Sequence, residues 1–486
     1  WRWSKDFQLN LLSLLEMVLE VRRRSGLRSN TPRWFALWSL CASNGVDSLI
    51  RVPPTASHLD HQSNDDSFAT LHEELLWRGL IHVSTDPEAL AQVLQGDPIT
   101  YYCGFDPTAP SLHLGNLVQL LLMRRLQLAG HKPLALVGGS TGLIGDPKPT
   151  AERVLREPEV IASWVDQLGL QVSRFLSFEG SNAATLVNNL DWTKDLSAID
   201  FLRDIGKYYR VGTMIKKDAV AARLSSDAGI SYTEFSYQIL QGMDFLRLYE
   251  NYGCVLQTGG SDQWGNLTSG TDLIHKALGV SVHAAGTPLI TNSDGTKFGK
   301  SEGNAIWLDS ELTSPYAMYQ FWLNTDDRDV IERLKIFTFL PRQEMESLEQ
   351  AVADQPHARL AQKTLAFDVT SLVHGPQQAI AVREASEALF GKGSLEDLNP
   401  DAFAQALAEL PTASLSAQTS VAEALVATGL CQSLSEARRA ISQGGVSLNN
   451  VAVAEETQAL GEARPPHPSS LLLKRGKKTF AALHLV

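Results

Sequence analysis

From about Phe68 onward the apolar positions of the chain switch between two spacings. The stretch 69–78 carries them at the three-and-four interval of a helix, whereas 99–103 is the β-branched and aromatic run expected of a strand. Helical spacing returns over 113–129, and 133–137 is strand-like and runs into Gly138-Gly139. Strand, glycine turn and helix in repetition predict a parallel α/β sheet. Further on, 194–208 and 232–249 read as long helices, 254–257 as a short strand ending at Gly259-Gly260, and 314–374 as mostly helical. The stretch 391–416, richer in Gly, Pro, Ser and Ala, reads as a linker, and 417–486 as a compact unit of its own.

The first 67 residues follow neither spacing. They hold four of the ten tryptophans (Trp1, Trp3, Trp34 and Trp38), and Arg22-Arg23-Arg24 and Pro53-Pro54 interrupt any longer pattern. Asp6, Glu16 and Glu20 argue against an organelle-targeting leader. The segment is expected to be a poorly ordered extension outside the functional body.

Composition narrows the classes. A hydrophobic fraction of 44% with 20% charged residues over 486 positions is ordinary globular composition, enough for two or three domains. The formal charge of -12 argues against a nucleic-acid binder that uses its whole surface, while leaving room for a local basic patch. Cys41, Cys103, Cys254 and Cys431 are scattered without a CxxC pair, which suits reduced cytoplasmic thiols better than disulfides or a zinc site. The longest apolar stretch, 117–136, is broken by Arg124-Arg125 and His131-Lys132, so no membrane span is expected.

Candidate chemistry sits where the predicted strands end. His113-Leu114-Gly115-Asn116 opens a helix after a strand, and such a glycine lets backbone N–H groups and the positive helix end approach phosphates. In isolation the string fits an ordinary helix start equally well. Lys297-Phe298-Gly299-Lys300-Ser301 places two lysines three apart in a polar loop, suited to stabilising charge on a phosphate undergoing attack and on its leaving group. Alone it reads as a solvated basic loop. Tyr237, Gln241 and Asp244 fall at i, i+4 and i+7, which puts a phenol, an amide and a carboxylate on one helical face. A small-molecule pocket and a polar surface stripe both fit that spacing. The run from Gly138 to Pro147 is a glycine-rich turn closed by Asp146, without the Gly-Lys-Ser/Thr ending of a P-loop.

Taken together and in this order, these strings and Gly260-Ser261-Asp262-Gln263-Trp264-Gly265-Asn266 resemble the class I aminoacyl-tRNA synthetases, and within them the bacterial-type tyrosyl-tRNA synthetases. The resemblance covers about 68–486. It implies a Rossmann-type parallel-sheet catalytic domain over 68–290, a lysine-loop and helical domain over 291–390, and a small α+β S4-like RNA-binding domain over 417–486. Lys297 to Ser301 reads K-F-G-K-S where the class has a K-M-S-K-S-like sequence, a departure common among tyrosyl enzymes. The implied reaction activates tyrosine with ATP to tyrosyl-adenylate and transfers tyrosine to the 3′-terminal ribose of its tRNA.

The resemblance also implies roles. His113, Asn116, Lys297, Lys300 and Thr108 would be catalytic. Tyr102 and Asp244 would meet the substrate phenol, Asp146, Tyr237 and Gln241 its ammonium, and Gln263 would lie near its carboxylate. Cys103, Gly104, Asp106, Gly115, Asp262 and Ser301 join His113, Asn116 and the two lysines around ATP. Mg²⁺ would accompany ATP without a dedicated protein site. The loop after Asp146 is one residue shorter than in the family; Arg153 matches its mobile basic residues well and Lys148 loosely. The terminal unit has seven basic and five acidic residues over 416–486, and Arg438, Arg439, Lys474, Arg475, Lys477 and Lys478 would contact tRNA. The stretch 464–468 departs from the family. A homodimer in the cytoplasm is expected. The two rivals are the sister tryptophanyl enzyme and a non-catalytic RNA-binding relative.

Overall fold

The computed structural model describes residues 59, 61–147, 154–226, 229–296, 298–301, 304–390, 395–463, 470–476 and 479–486. Residues 1–58 of the expected extension, Lys148, Arg153, Lys297, 464–468, Lys477 and Lys478 lie outside the described residues.

Six strands form the main sheet: β1 (Val83–Ser84), β2 (Thr100–Phe105), β3 (Lys132–Val137), β4 (Thr185–Asn188), β5 (Cys254–Gly260) and β6 (His283–Thr287). Their order is β1-β6-β5-β2-β3-β4, parallel except for β1 at the edge. Helices cover both faces, which explains why the central strands are apolar at successive positions rather than at alternate ones. On β2 and β3, Tyr101, Cys103, Phe105, Ala135 and Val137 join the core that contains the Leu114–Leu128 helix. Tyr102, Leu134 and Leu136, one step out of phase, join the core beneath the Tyr232–Tyr252 helix.

From β2 the chain proceeds to β3 and β4 on one side, then returns to β5 and β6 on the other. The order therefore reverses between β2 and β5, and a crevice opens outside their carboxyl ends at Phe105 and Gly260. Two glycines stop helices at the opposite end of the sheet, just before β5 and β6 begin. Gly253 (φ 63°) ends the Tyr232–Tyr252 helix and Gly279 (φ 71°) ends the Trp264–Leu278 helix, both in the left-handed region that glycine adopts without a Cβ penalty.

The stretch 194–208 is not the single long helix its apolar spacing predicts. It divides into Ala198–Asp200, a π turn over Phe201–Ile205 and a 3₁₀ turn over Gly206–Tyr208. Phe201, Ile205, Tyr208 and Tyr209 still share the core under the Tyr232–Tyr252 helix, and Gly206, a poor helix former, falls where the π turn gives way to the 3₁₀ turn.

Beyond the paired strands β7 (Lys300–Ser301) and β8 (Asn304–Ala305), the chain becomes helical through Pro315–Leu323, Val330–Phe337, Arg342–Asp354, Leu360–His374 and Pro376–Leu389. The expected linker is a correction. Helix Pro400–Ala408 puts Ala402, Phe403, Ala406 and Leu407 into the main core. Strand β9 (Thr412–Leu415) then pairs in parallel with the final strand. With β10 (Val446–Leu448), β11 (Val451–Ala452), β12 (Ser470–Arg475) and β13 (Thr479–Leu485) it makes a sheet of order β11-β10-β12-β13-β9. Alternate residues again serve two cores: Leu472, Phe480 and Ala482 face the helical domain, and Leu471, Leu473, Ala481 and Leu483 the helices of the terminal unit. Between β10 and β11, Asn449 and Asn450 take positive φ (51° and 66°), as a two-residue hairpin turn requires. The Asn450 amide donates to the Ala388 carbonyl at 2.8 Å, a further link to the helical domain.

The start of the ordered body also lies earlier than position 68. Asn64 donates to the Arg125 carbonyl (2.9 Å), and Arg124 donates to the Gln62 side chain (2.9 Å) and the Leu59 carbonyl (3.1 Å). Beside them, buried Glu74 accepts from Arg78 Nε (2.7 Å) and Arg125 (2.8 Å), and Arg78 also donates to the Leu340 carbonyl (2.8 Å). This cluster fastens the catalytic body to the end of the Val330–Phe337 helix. Removing one partner of a buried charge cluster leaves the others uncompensated, so Glu74→Ala is expected to cost about 3–5 kcal/mol in denaturant unfolding. Asp200→Ala, which breaks an exposed pair with Arg203, is expected to leave the midpoint unchanged.

Candidate active site

The crevice at the strand-order reversal is a cavity of about 440 Å³. Tyr102, Cys103, Gly104, Asp106, Thr108, His113, Gly115, Asn116, Asp146, Tyr237, Gln241, Asp244, Asp262 and Gln263 line it, together with Phe298 and Gly299. These residues, from Tyr102 to Gly299, come from β2 and the loop after it, the Leu114–Leu128 and Tyr232–Tyr252 helices, the loop at Asp146, the turn after β5 and the lysine loop. The geometry thus brings together the described members of the predicted tyrosine and ATP sets, apart from Lys300 and Ser301. Those two are strand residues of β7, with Lys300 opposite Ala305 and Ser301 opposite Asn304.

His113 is the N-cap of the Leu114–Leu128 helix. Its Nδ1 accepts the Gly115 N–H (3.0 Å), while Asn116 Oδ1 accepts the His113 N–H (3.1 Å), a reciprocal box. With Nδ1 committed as acceptor, a neutral ring carries its proton on Nε2, free to donate. A Cβ at Gly115 would lie 2.8 Å from His113 Cε1, so this glycine lets the cap form.

At the floor, Asp244 accepts from Trp192 Nε1 (2.8 Å) and Asn189 Nδ2 (3.0 Å). Burial pushes its carboxyl up to about 7; the two donors pull the other way, and the charge of Asp106 adds to the rise. The Tyr102 hydroxyl is buried with no partner, and its ring lies 5.2 Å from that of Phe245. Burial also raises the Cys103 thiol to about 12, which keeps it neutral.

Two carboxylates stand higher in the cleft. Asp106 accepts from the Tyr237 hydroxyl (2.6 Å) and from Thr141 (2.6 Å), so Tyr237 here faces Asp106. Asp146 accepts from Asn266 (2.9 Å) and Gln263 (3.3 Å). Asn189, Trp192, Thr141 and Asn266 escaped the sequence reading. Asn266 sat inside a quoted string, whereas nothing local marks Asn189 and Trp192, whose partner is more than 50 residues away.

The lysine loop is anchored by its aromatic residue. Phe298 stacks at 5.4–5.8 Å on Phe321, Trp322 and Phe337, and the Arg333 guanidinium lies 4.8 Å from its ring centroid. The predicted basic face of the terminal unit is divided. Arg439 is exposed, and exposed Arg438 stands 3.6 Å from Glu456. Lys474 lies over the Phe480 ring (5.3 Å). Arg475, half-buried, is already paired with Glu436 (2.6 Å) and the Leu430 carbonyl.

Asp244 gives a pH test. Its folded-state pKa, about 7, exceeds the unfolded value near 3.9, so the native state binds the proton more tightly and stability falls as pH rises between those values. Asp244→Asn removes that dependence. The stability of the variant relative to the parent is expected to rise by roughly 2–4 kcal/mol between pH 4 and pH 8, read from urea unfolding of both proteins.

Comparison with known proteins identifies the family. Residues 94–391 match the family described as tRNA synthetases class I (W and Y), and residues 402–483 match the tyrosine–tRNA ligase SYY-like C-terminal domain. A tyrosine–tRNA ligase of Leifsonia xyli is 68% identical over 423 residues, covering 87% of this chain and 96% of the relative. One of Streptomyces avermitilis is 59% identical, covering 85% and 98%. Among solved structures, the C-terminally truncated mitochondrial tyrosyl-tRNA synthetase of Coccidioides posadasii aligns with TM-score 0.58 at 31% identity, over 65% of this chain and 91% of that one.

Proposed function

The chain belongs to the tyrosine–tRNA ligases among the class I tRNA synthetases, and we propose from that premise how its cleft divides the work. The reaction has two steps. The tyrosine carboxylate attacks the α-phosphate of ATP, forming tyrosyl-adenylate and releasing pyrophosphate. The 3′-terminal ribose hydroxyl of the tRNA then takes the tyrosyl group and releases AMP.

The observation that carries the division is the floor of the cavity. Tyr102 has a buried hydroxyl without a partner, and Asp244 lines the same cavity. A substrate phenol there would supply the missing partner, whereas a phenylalanine ring would leave buried polar groups unpaired. Asp146, Tyr237 and Gln241 would hold the ammonium, with Asp106 as an additional negative charge, and Gln263 would face the carboxylate. Asp262 would take the ribose hydroxyls, and Cys103, Gly104 and Gly115 would line the nucleotide.

The nucleophile is a carboxylate already ionised near neutral pH, so no side chain has to accept a proton in the first step. Catalysis then rests on alignment and charge stabilisation. His113 Nε2–H, Asn116 and Thr108 would donate toward the phosphates, and Lys297 and Lys300 would meet the charge on the departing pyrophosphate. Mg²⁺ is written as part of the nucleotide substrate, where it would neutralise phosphate charge. Asp106 and Asp146 are already occupied by protein donors, which fits an ion carried by ATP rather than by a carboxylate cage.

Arg438, Arg439, Lys474, Lys477 and Lys478 would contact tRNA phosphates; Arg475 would support that surface through its pair with Glu436. Association as a homodimer is part of the proposal. It is supported by large apolar side chains left exposed between positions 199 and 232, among them Ile199 (69% exposed), Val211 (63%) and Tyr232 (67%). Cytoplasmic placement is supported by the free thiols Cys103, Cys254 and Cys431. Among the described residues no helix is long and apolar enough to cross a membrane.

The test is amino-acid-dependent ATP–pyrophosphate exchange with tyrosine, tryptophan and phenylalanine. Exchange with tyrosine alone is expected, reduced at least about 100-fold by Lys300→Ala. Exchange with tryptophan instead would move the chain to the sister branch, and none at all would leave only RNA binding.

A further inference from the structure

The helix that carries Tyr237, Gln241 and Asp244 has a glycine in the middle of this set, Gly242, and a phenol occupies the space its side chain would fill. A Cβ at Gly242 would overlap the Tyr209 hydroxyl oxygen and lie 3.3 Å from Tyr209 Cζ and from Ser269 Oγ. Tyr209 comes from the irregular segment that follows Gly206, not from a neighbouring helix. Its hydroxyl lies 3.1 Å from Ser269 Oγ on the facing Trp264–Leu278 helix. Ser269 Oγ in turn donates to the Gln238 carbonyl at 2.9 Å. Serine has one hydroxyl proton, so with that proton on Gln238 the Tyr209 hydroxyl is the donor to Ser269. In a regular helix the Gln238 carbonyl is also the acceptor for the Gly242 N–H. The Tyr209–Ser269 bridge therefore closes on the helical turn that begins at Gln238 and leads to Gln241 and Asp244.

The two helices approach closely at a second point. A Cβ at Gly270 would lie 2.9 Å from Phe245 Cδ1, and Phe245 stacks on Tyr102. The turn is thus held on one side by Gly270 against Phe245 and on the other by Tyr209 over Gly242. Neither Phe245 nor Tyr209 lines the cavity; Phe245 touches it through Tyr102, which does.

Resting on the tyrosine-activating function above, we propose that Tyr209 is a positioning residue of the amino-acid pocket. Its hydroxyl stands in for a side chain missing at Gly242 and sets the placement of Gln241 and Asp244. Helix propensity by itself makes the opposite prediction, because alanine in place of a glycine inside a helix is normally stabilising.

The test is a mutant cycle in the full chain, read by tyrosine-dependent and ATP-dependent exchange kinetics and by thermal melting. Gly242→Ala is expected to raise the KM for tyrosine about tenfold while the KM for ATP stays within about twofold. Gly242→Ala with Tyr209→Phe, in which the new methyl takes the space of the lost hydroxyl, is expected to bring the tyrosine KM back to within about threefold of the parent. An unchanged tyrosine KM in Gly242→Ala, an equal rise in both KM values, or a double variant no better than the single one would overturn the proposal. Where Gly242→Ala alone does not fold, recovery of folded, active protein in the double variant supports it and failure to recover overturns it. No exchange by the parent overturns the functional reading and this inference together, whereas a fully active parent with an indifferent Gly242→Ala overturns this inference alone.

Discussion

A carboxylate taken out of water must be surrounded by donors or it destabilises the fold by several kcal/mol. The architecture around Asp244 answers that requirement. Asn189 Nδ2 donates to both Asp244 and Thr141 Oγ1, at 3.0 Å each, and Asn189 Oδ1 accepts the Ser140 N–H at 2.7 Å. The Thr141 hydroxyl donates to Asp106, and Asp106 accepts in turn from Tyr237, two helical turns before Asp244. Each of these hydrogen bonds runs from a donor to an acceptor in the right sense. It joins the loops after β2, β3 and β4 to one helix, so the placement of the cavity floor and the placement of its upper wall are a single problem. The Tyr102 hydroxyl stands outside the circuit, and the proposed phenol site lies at that gap.

The same dependence explains which parts were legible in the sequence. Short strings at the ends of strands could be read because their chemistry is local: His113, Gly115 and Asn116 form their cap within one turn. The spacing of Tyr237, Gln241 and Asp244 showed a shared face, although it could not distinguish a pocket from a surface stripe. Asn189 and Trp192 could not be found that way. Their significance exists only once β4 lies beside β3 and the Tyr232–Tyr252 helix crosses above. Arg475 illustrates the converse, since a basic run looks uniform in sequence while the fold pairs one of its members with Glu436.

The fold was misread where composition and packing diverge. Alanine makes up half of 401–408, so the segment resembles a spacer; around Phe403 those small residues allow a helix to pack closely on the helical domain. In the stretch 194–208 the error ran the other way. Apolar spacing suggested one helix, and Phe201, Ile205 and Tyr208 do share one core, but the backbone breaks into short turns around Gly206. One of those turns delivers Tyr209 to Gly242.

In the proposed function a buried pair, Tyr102 and Asp244, recognises the substrate phenol. The most direct measurement is the ratio of kcat/KM for tyrosine over phenylalanine in exchange, compared between the parent and Tyr102→Phe. A ratio lowered about 10- to 100-fold is expected, almost entirely through tyrosine, because one partner of the substrate hydroxyl is gone. A ratio unchanged by the substitution, with exchange otherwise intact, would contradict it.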